Sequence, residues 1–186
     1  VNKYDIGLLV GRFNVFHIGH KSLSDLALTM CDRLLILVGS AQENGTLRNP
    51  FSVETRIKMI KEIYPDDNVI VRGLPDLTNE NDISAEWGKY LLDKVHDIIG
   101  KNPNIMIYGN DESRSGWFAS EDIKEVLEVI VSRSEIPISA TQLRQLMLYG
   151  NKNDWCKYHS FELWKHFYDL RNELMNCPDY KENINV

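Results

Sequence analysis

Apolar residues fall along this chain in two alternating patterns. Short aliphatic runs at residues 6–10, 33–39, 68–72, 105–108 and 126–131 read as five strands, and the unbroken second run suits a strand buried on both faces. Between them apolar residues recur at helical spacing. Leu23, Leu26, Ala27 and Met30 do so in 21–30, and Val53, Ile57, Ile60 and Tyr64 follow a Ser52 cap. Trp87, Tyr90, Leu91, Val95, Ile98 and Ile99 share one side of a helix that starts near Ser84. This alternation predicts an α/β fold: a doubly wound parallel five-stranded, Rossmann-like sheet with right-handed crossovers. Residues 160–175 predict one more helix, with Leu163, Phe167, Leu170 and Leu174 on one stripe and Phe161, Trp164 and Tyr168 on another. The organisation expected is an α/β domain over 1–150 and a C-terminal helical extension of that domain over 151–186.

The polar motifs lie just after strands, where open α/β sheets bind ligands. The first is Gly11-Arg12-Phe13-Asn14-Val15-Phe16-His17-Ile18-Gly19-His20, which leaves a strand, turns and opens a helix. A helix N-terminus offers unpaired amides and positive potential, Gly19 lets an anion approach the backbone, and Arg12, His17 and His20 add donors. That is a layout for holding a polyphosphate. The second is Ile138-Ser139-Ala140-Thr141-Gln142-Leu143-Arg144, which opens another helix with Ser139 and Gln142 at capping-box spacing. Arg144, in the second turn, leans back toward that positive helix end, an arrangement that an anion between them would relieve. Residues 40–51 form a polar loop containing Ser40 and Arg48, and Gly109-Asn110-Asp111 ends the fourth strand.

Composition narrows the classes. The 186 residues are 43% hydrophobic and 26% charged, ordinary values for a globular protein with a substantial core. A net charge of −6 argues against a nucleic-acid-coating surface, so a phosphate site must be a local basic pocket on an acidic body. Cys31, Cys156 and Cys177 are widely spaced without a metal-ligand pattern, which suits reduced thiols in the cytoplasm. No apolar run reaches membrane-spanning length, so neither nucleic acid nor membrane is an expected partner.

Taken whole, Gly11-Arg12-Phe13 and His17-x-Gly19-His20 resemble the HxGH signature of the nucleotidyltransferase superfamily, the adenylyl- and cytidylyltransferases. Ile138, Ser139, Thr141 and Arg144 are similar to that family's ISxTxxR motif. Ser40-Ala41-Gln42-Glu43, Thr46-Leu47-Arg48-Asn49-Pro50-Phe51 and Glu54-x-Arg56 resemble the matching stretch of archaeal-type nicotinamide mononucleotide (NMN) adenylyltransferases. The likeness is good over residues 4–64, clear over 136–150 and patchy between. Such enzymes usually carry Gln-Pro where this chain has Asn14-Val15, and Gly109-Asn110-Asp111 with Trp117 is closer to bacterial relatives.

The resemblance implies the nucleotidyltransferase fold and transfer of AMP from ATP to NMN, giving NAD and pyrophosphate. It implies His17, His20, Arg12, Arg48 and Arg144 as catalytic. Gly11, Phe13, Gly19, Gly109, Asp111, Ile138, Ser139 and Thr141 join them in binding ATP, with Ser139 and Thr141 donating to its β- and γ-phosphates. Asn14, Ser40, Arg48 and Trp87 would meet the acceptor, Trp87 by stacking on its ring unless it is simply core. Mg2+ would ride on the ATP phosphates with no dedicated protein metal site. Arg56 is expected on a helix flank, where its loss matters less than that of Arg144. The doubled aromatic face of the last helix suggests a homo-oligomer. Alternatives are another HxGH enzyme (a pantetheine-phosphate or FMN adenylyltransferase, or a cytidylyltransferase) and a nucleotide-binding sensor without turnover.

Overall fold

Alternation along the first strand sends Ile6, Leu8 and Val10 to one face of a sheet and Leu9 to the other, and all four are buried. The computed structural model describes residues 3–79, 81–82, 84–110, 114, 116–132 and 138–180. In chain order the elements are β1 (Tyr4–Gly11), α1 (Ile18–Met30), β2 (Cys31–Val38), α2 (Val53–Ile63), β3 (Val69–Gly73), α3 (Ala85–Ile99), β4 (Ile105–Gly109) and β5 (Leu127–Val131). Then follow α4 (Ala140–Tyr149), α5 (Lys152–Cys156), a 3-10 helix (Phe161–His166) and α6 (Phe167–Asn176).

The strands lie in the order β3-β2-β1-β4-β5, and every neighbouring pair is parallel. The chain steps outward from β1 through β2 to β3, then returns to the far side of β1 for β4. The order therefore reverses beside β1, and the crevice at its carboxyl end is where such a sheet receives a ligand. This is the predicted doubly wound fold.

Three apolar clusters hold the layers. One joins Ile6, Leu8 and Val10 to Trp87, Leu91 and Val95 of α3. A second joins Leu9, Ile36 and Val71 to Ala27 of α1 and Ile60 of α2. Each fully buried aliphatic side chain contributes roughly 1.5–3 kcal/mol. Gly88 of α3 makes one contact possible, because a Cβ there would lie 1.5 Å from the Trp117 carbonyl oxygen. The third cluster packs Leu143, Trp155, Leu163, Phe167, Leu170 and Leu174 against Val15, Phe51 and Met59, which brings the C-terminal helices over the turn that follows β1.

Two elements depart from expectation by more than a residue or two at one end. The first helix starts at Ile18 rather than at 21, because His17 itself is the N-cap. The helix predicted over 160–175 is a 3-10 helix followed by α6. The Trp164 indole donates back to the carbonyls of Cys156 and His159, which draws that turn onto the preceding chain while Leu163 and Phe167 still reach the core. Phe161, Trp164 and Tyr168 stay 71%, 44% and 58% exposed.

Candidate functional site

β1 and β2 end side by side, with the Gly39 amide donating to the Gly11 carbonyl at 2.9 Å. Beyond Gly11 the chain turns through Phe13, whose φ of +53° lies in the left-handed region that side-chain-bearing residues seldom occupy. The Phe13 ring meets His20 edge-on at 4.9 Å and Phe16 at 5.4 Å, which fixes the approach to α1. The Asn14–Val15 peptide is cis.

At the start of α1 two imidazoles form the cap. His17 Nδ1 accepts from the Gly19 amide at 3.1 Å, and His20 Nδ1 accepts from the His17 amide at 3.3 Å. A ring nitrogen that accepts carries no proton, so this pattern assigns each neutral imidazole its proton on Nε2. The rings stack at 3.8 Å with 27° between planes, and His17 is buried. One expectation is corrected here. The Gly19 amide is spent on His17, and the Ile18 amide donates to the Tyr158 carbonyl at 2.9 Å. Both amides, expected to be open to an anion, are engaged within the protein.

The second wall comes from α4. Ser139 and Gln142 close the predicted capping box, with the Gln142 amide donating to Ser139 Oγ at 3.2 Å and the Ser139 amide donating to Gln142 Oε1 at 2.9 Å. Ser139 Oγ also donates to Gln142 Oε1 at 3.0 Å, so the hydroxyl expected to serve a phosphate serves the cap. Arg144 is buried and leans back as expected, giving a hydrogen bond to Thr141 Oγ1 at 3.2 Å. It also donates to Tyr180 Oη at 2.8 Å, to the Leu47 carbonyl at 3.4 Å and, in a short bond, to the Asn14 carbonyl. Arg144 thus ties α4 to the turn after β1 and to the loop that holds Arg48.

These walls face one cleft of about 280 Å³. Gly11, Arg12, Phe13, Asn14, His17 and His20 line one side, Ser139, Ala140, Thr141 and Arg144 the other, and Arg48 the rim. No carboxylate is among these lining residues, so the cleft concentrates cations and donors on an acidic protein. Asn14 is buried and its amide donates to Asn49 Oδ1 at 2.9 Å. The exposed Arg48 donates to the Asn81 side chain, linking the 40–51 loop to the loop after β3.

Other predicted residues lie outside the cleft lining. Gly19 is in the first turn of α1, Ile138 packs in the C-terminal cluster, and Gly109 ends β4. Ser40 is buried at φ +48° and donates to Asp76 Oδ1 at 3.1 Å, while Gln42 holds the other carboxylate oxygen at 2.9 Å. Asp111 lies outside the described residues. The stacking role for Trp87 is corrected: the side chain is 6% exposed, sits among the α3 core and meets Trp117 edge-on at 4.6 Å. A buried indole presents no flat face to a ligand.

The sequence reading misplaced one residue and missed two others. Arg56 is not on a helix flank but fully buried, with all its hydrogen bonds on backbone carbonyls. The available signal was its place on the apolar stripe, three residues after Val53 and four before Ile60. Burial pushes its pKa down to about 10. His159 stacks on Trp155 at 3.6 Å, with Nδ1 2.9 Å from the Trp155 carbonyl, and burial pushes its pKa down to about 3. Arg114 is buried between the rings of Tyr108 and Trp117 and donates to the Val10 carbonyl at 3.0 Å.

A doubly wound sheet whose switch point opens into a basic cleft between two capped helices, with no carboxylate among its described lining residues, has the architecture of a ligand-binding α/β protein. Matches to known proteins narrow this class. Residues 8–166 match the cytidylyltransferase-like family, and the chain belongs to that family. It is 33% identical over 105 residues to a nicotinamide-nucleotide adenylyltransferase of Saccharolobus solfataricus, a match covering 54% of this chain and 60% of the relative. Against the Archaeoglobus fulgidus nicotinamide-nucleotide adenylyltransferase it is 29% identical over 157 residues, covering 80% of this chain and 82% of the relative. Among solved structures, a bifunctional NMN adenylyltransferase/ADP ribose pyrophosphatase from Francisella tularensis, complexed with AMP and a Mn ion, superposes with a TM-score of 0.71. Its identity is 25%, over 98% of this chain and 53% of that one.

Proposed function

We propose that this chain is a nicotinamide-nucleotide adenylyltransferase, transferring AMP from ATP to NMN to form NAD and pyrophosphate. The observation that carries the reading is the single cleft into which α1 brings His17 and His20 and α4 brings Thr141 and Arg144.

A phosphate oxygen of the mononucleotide attacks the α-phosphorus of ATP, a new P–O bond forms, and the bond to the β-phosphate oxygen breaks as pyrophosphate leaves. The nucleophile is already an anion at neutral pH, so the step needs no protein base. It needs alignment and neutralisation of growing charge. In this reading His20 donates from Nε2 to the α-phosphate, and His17, stacked on it, holds the neighbouring phosphate oxygens. Arg12 and Arg48 bind the triphosphate and the incoming phosphate. Arg144 adds a fixed charge near Thr141, whose hydroxyl faces the β- and γ-phosphates. Asn14, Ser40 and Arg48 border the acceptor side. The donor set suits phosphate rather than a bare cation, so Mg2+ arrives with ATP on the phosphate oxygens.

Among the described residues no helix is long and apolar enough to cross a membrane, and the assignment carries a cytoplasmic location with it. The exposed Phe161, Trp164 and Tyr168 support self-association, which light scattering tests and a monomeric mass would refute.

Pyrophosphate release is the direct test, with ATP or CTP against NMN, nicotinic acid mononucleotide, pantetheine phosphate and FMN. Turnover is expected with ATP and a pyridine mononucleotide. Preference for CTP or for another acceptor would replace the reading by a sister activity, and ATP binding without turnover on any acceptor would leave a sensor.

A further inference from the structure

The guanidinium of Arg56 has five N–H groups, and the structure gives each a backbone carbonyl. Nε donates to Ser52 at 3.3 Å, Nη1 to Arg12 at 3.1 Å and Gly39 at 2.8 Å, and Nη2 to Ser40 at 3.0 Å and Glu43 at 3.2 Å. Five acceptors from four separate pieces of chain converge on one planar group: the exit of β1, the exit of β2, the loop behind it and the cap of α2. The side chain is fully buried. Buried arginine is ordinarily matched to an acid, whereas every hydrogen bond here goes to a peptide oxygen.

Where those carbonyls lie gives the arrangement its meaning. The Arg12 carbonyl belongs to the peptide leading into Phe13, and the Gly39 carbonyl to the peptide leading into Ser40. Among the described residues, Phe13 and Ser40 are the non-glycine residues with positive φ, +53° and +48°. Such conformations persist only when their surroundings over-determine them. Arg56 clamps the peptide in front of each, and also the carbonyl of Ser40 itself. Arg12 projects into the cleft from one clamped peptide, and Ser40 turns toward Asp76 from the other.

We propose that Arg56 is a positioning residue for nucleotidyl transfer, whose guanidinium holds the turns after β1 and β2 in register and thereby sets the placement of Arg12 and of the acceptor-side loop. It touches neither substrate nor reacting atoms. A lysine at this position keeps the charge but offers three donors from one point, and cannot serve five carbonyls spread around a plane. The inference uses the proposed activity for one of its readouts, and ATP affinity alone supplies another.

The test compares wild type with Arg56→Lys. Melting midpoint, ATP affinity by titration calorimetry without acceptor, and the kcat and KM of pyrophosphate release with ATP and NMN are measured. Arg56→Lys is expected to fold with a lowered midpoint, to bind ATP at least fivefold more weakly and to lose at least tenfold in kcat. In Arg56→Ala, millimolar guanidinium is expected to restore part of the lost ATP affinity where methylammonium does not. A guanidinium that only stabilises the fold gives Arg56→Lys either wild-type affinity and kcat with a lower midpoint, or no folded protein. Either result overturns the proposal. A wild-type chain that binds ATP but turns over no acceptor counts against the adenylyltransferase reading alone, and the affinity comparison still judges Arg56.

Discussion

The helix starts that frame the cleft carry the same local device and use it differently. α1 and α4 each open on a capping box, in which the N-cap side chain and the side chain three residues on exchange hydrogen bonds with each other's amides. At α4 the pair is Ser139 and Gln142, and the serine hydroxyl is consumed in both directions, accepting from the Gln142 amide and donating to its side-chain oxygen. At α1 the pair is His17 and His20. An imidazole has two nitrogens on opposite edges, so one can cap while the other still carries a proton. Under the proposed activity, capping and chemistry therefore coexist in one ring at α1, and at α4 they fall to different residues, the cap to Ser139 and the cationic work to Arg144. The α1 side is where side-chain identity should matter most to rate, and the α4 side where it should matter most to local stability.

The strongest way to break this contrast is His20→Ala. Removing a donor aimed at charge that grows in the transition state typically lowers turnover on the order of a hundredfold or more, with a much smaller effect on ATP binding. Steady-state kinetics of pyrophosphate release beside ATP titration measures both. Turnover within a few-fold of wild type would remove the special role given to the α1 cap.

How far the sequence alone reaches follows from the same contrast. The apolar runs, the α4 capping box and the HxGH turn are local patterns, and each lies where spacing places it. His17 as the actual N-cap was harder to see, because serine, threonine, aspartate and asparagine dominate that position. Arg56 was illegible for another reason. Its partners are carbonyls as far away as Arg12, which no side-chain pattern reports, and a charged residue on an apolar stripe passes for a flank residue. Trp87 erred the opposite way, since a tryptophan beside a polar loop suits a ligand platform until α3 packs it beneath Trp117. The C-terminal break shows a stripe preserved while the helix type changes.

A smaller effect sharpens the comparison from behind α1. The Tyr158 carbonyl holds the Ile18 amide, and the next residue, His159, is buried and stacked on Trp155. Burial, then the nearby His17, depress its pKa to about 3, against about 6.5 for a histidine in the unfolded chain. The unfolded state therefore binds the extra proton between pH 6.5 and 3. Stability from this group is fully present above pH 6.5 and is lost as pH falls toward 3, by about 2 kcal/mol between pH 7 and 5. Urea denaturation at the two pH values should show that loss in wild type and a smaller one in His159→Phe, which keeps a ring on Trp155 and removes the titration. Equal acid sensitivity in both proteins would separate the α1 anchor from His159.

The smallest effect bears on α4. Replacing an N-cap serine by alanine costs on the order of 1 kcal/mol, whereas asparagine caps about as well. Ser139→Ala should therefore lower stability by about 1 kcal/mol, and Ser139→Asn should recover most of it. The kinetic consequence separates the two accounts of this hydroxyl. Ser139 lines the cleft, as a phosphate ligand must, but its proton already points at Gln142 Oε1. If the cap is its whole work, both variants keep the wild-type KM for ATP. If binding turns the hydroxyl toward a phosphate, alanine and asparagine raise that KM together, and restored stability in the asparagine variant does not bring it back. The geometry favours the first outcome. A KM raised several-fold in both variants would mean that α4, like α1, uses one side chain for cap and substrate alike, and the contrast between the two helix starts would reduce to the choice of serine or histidine.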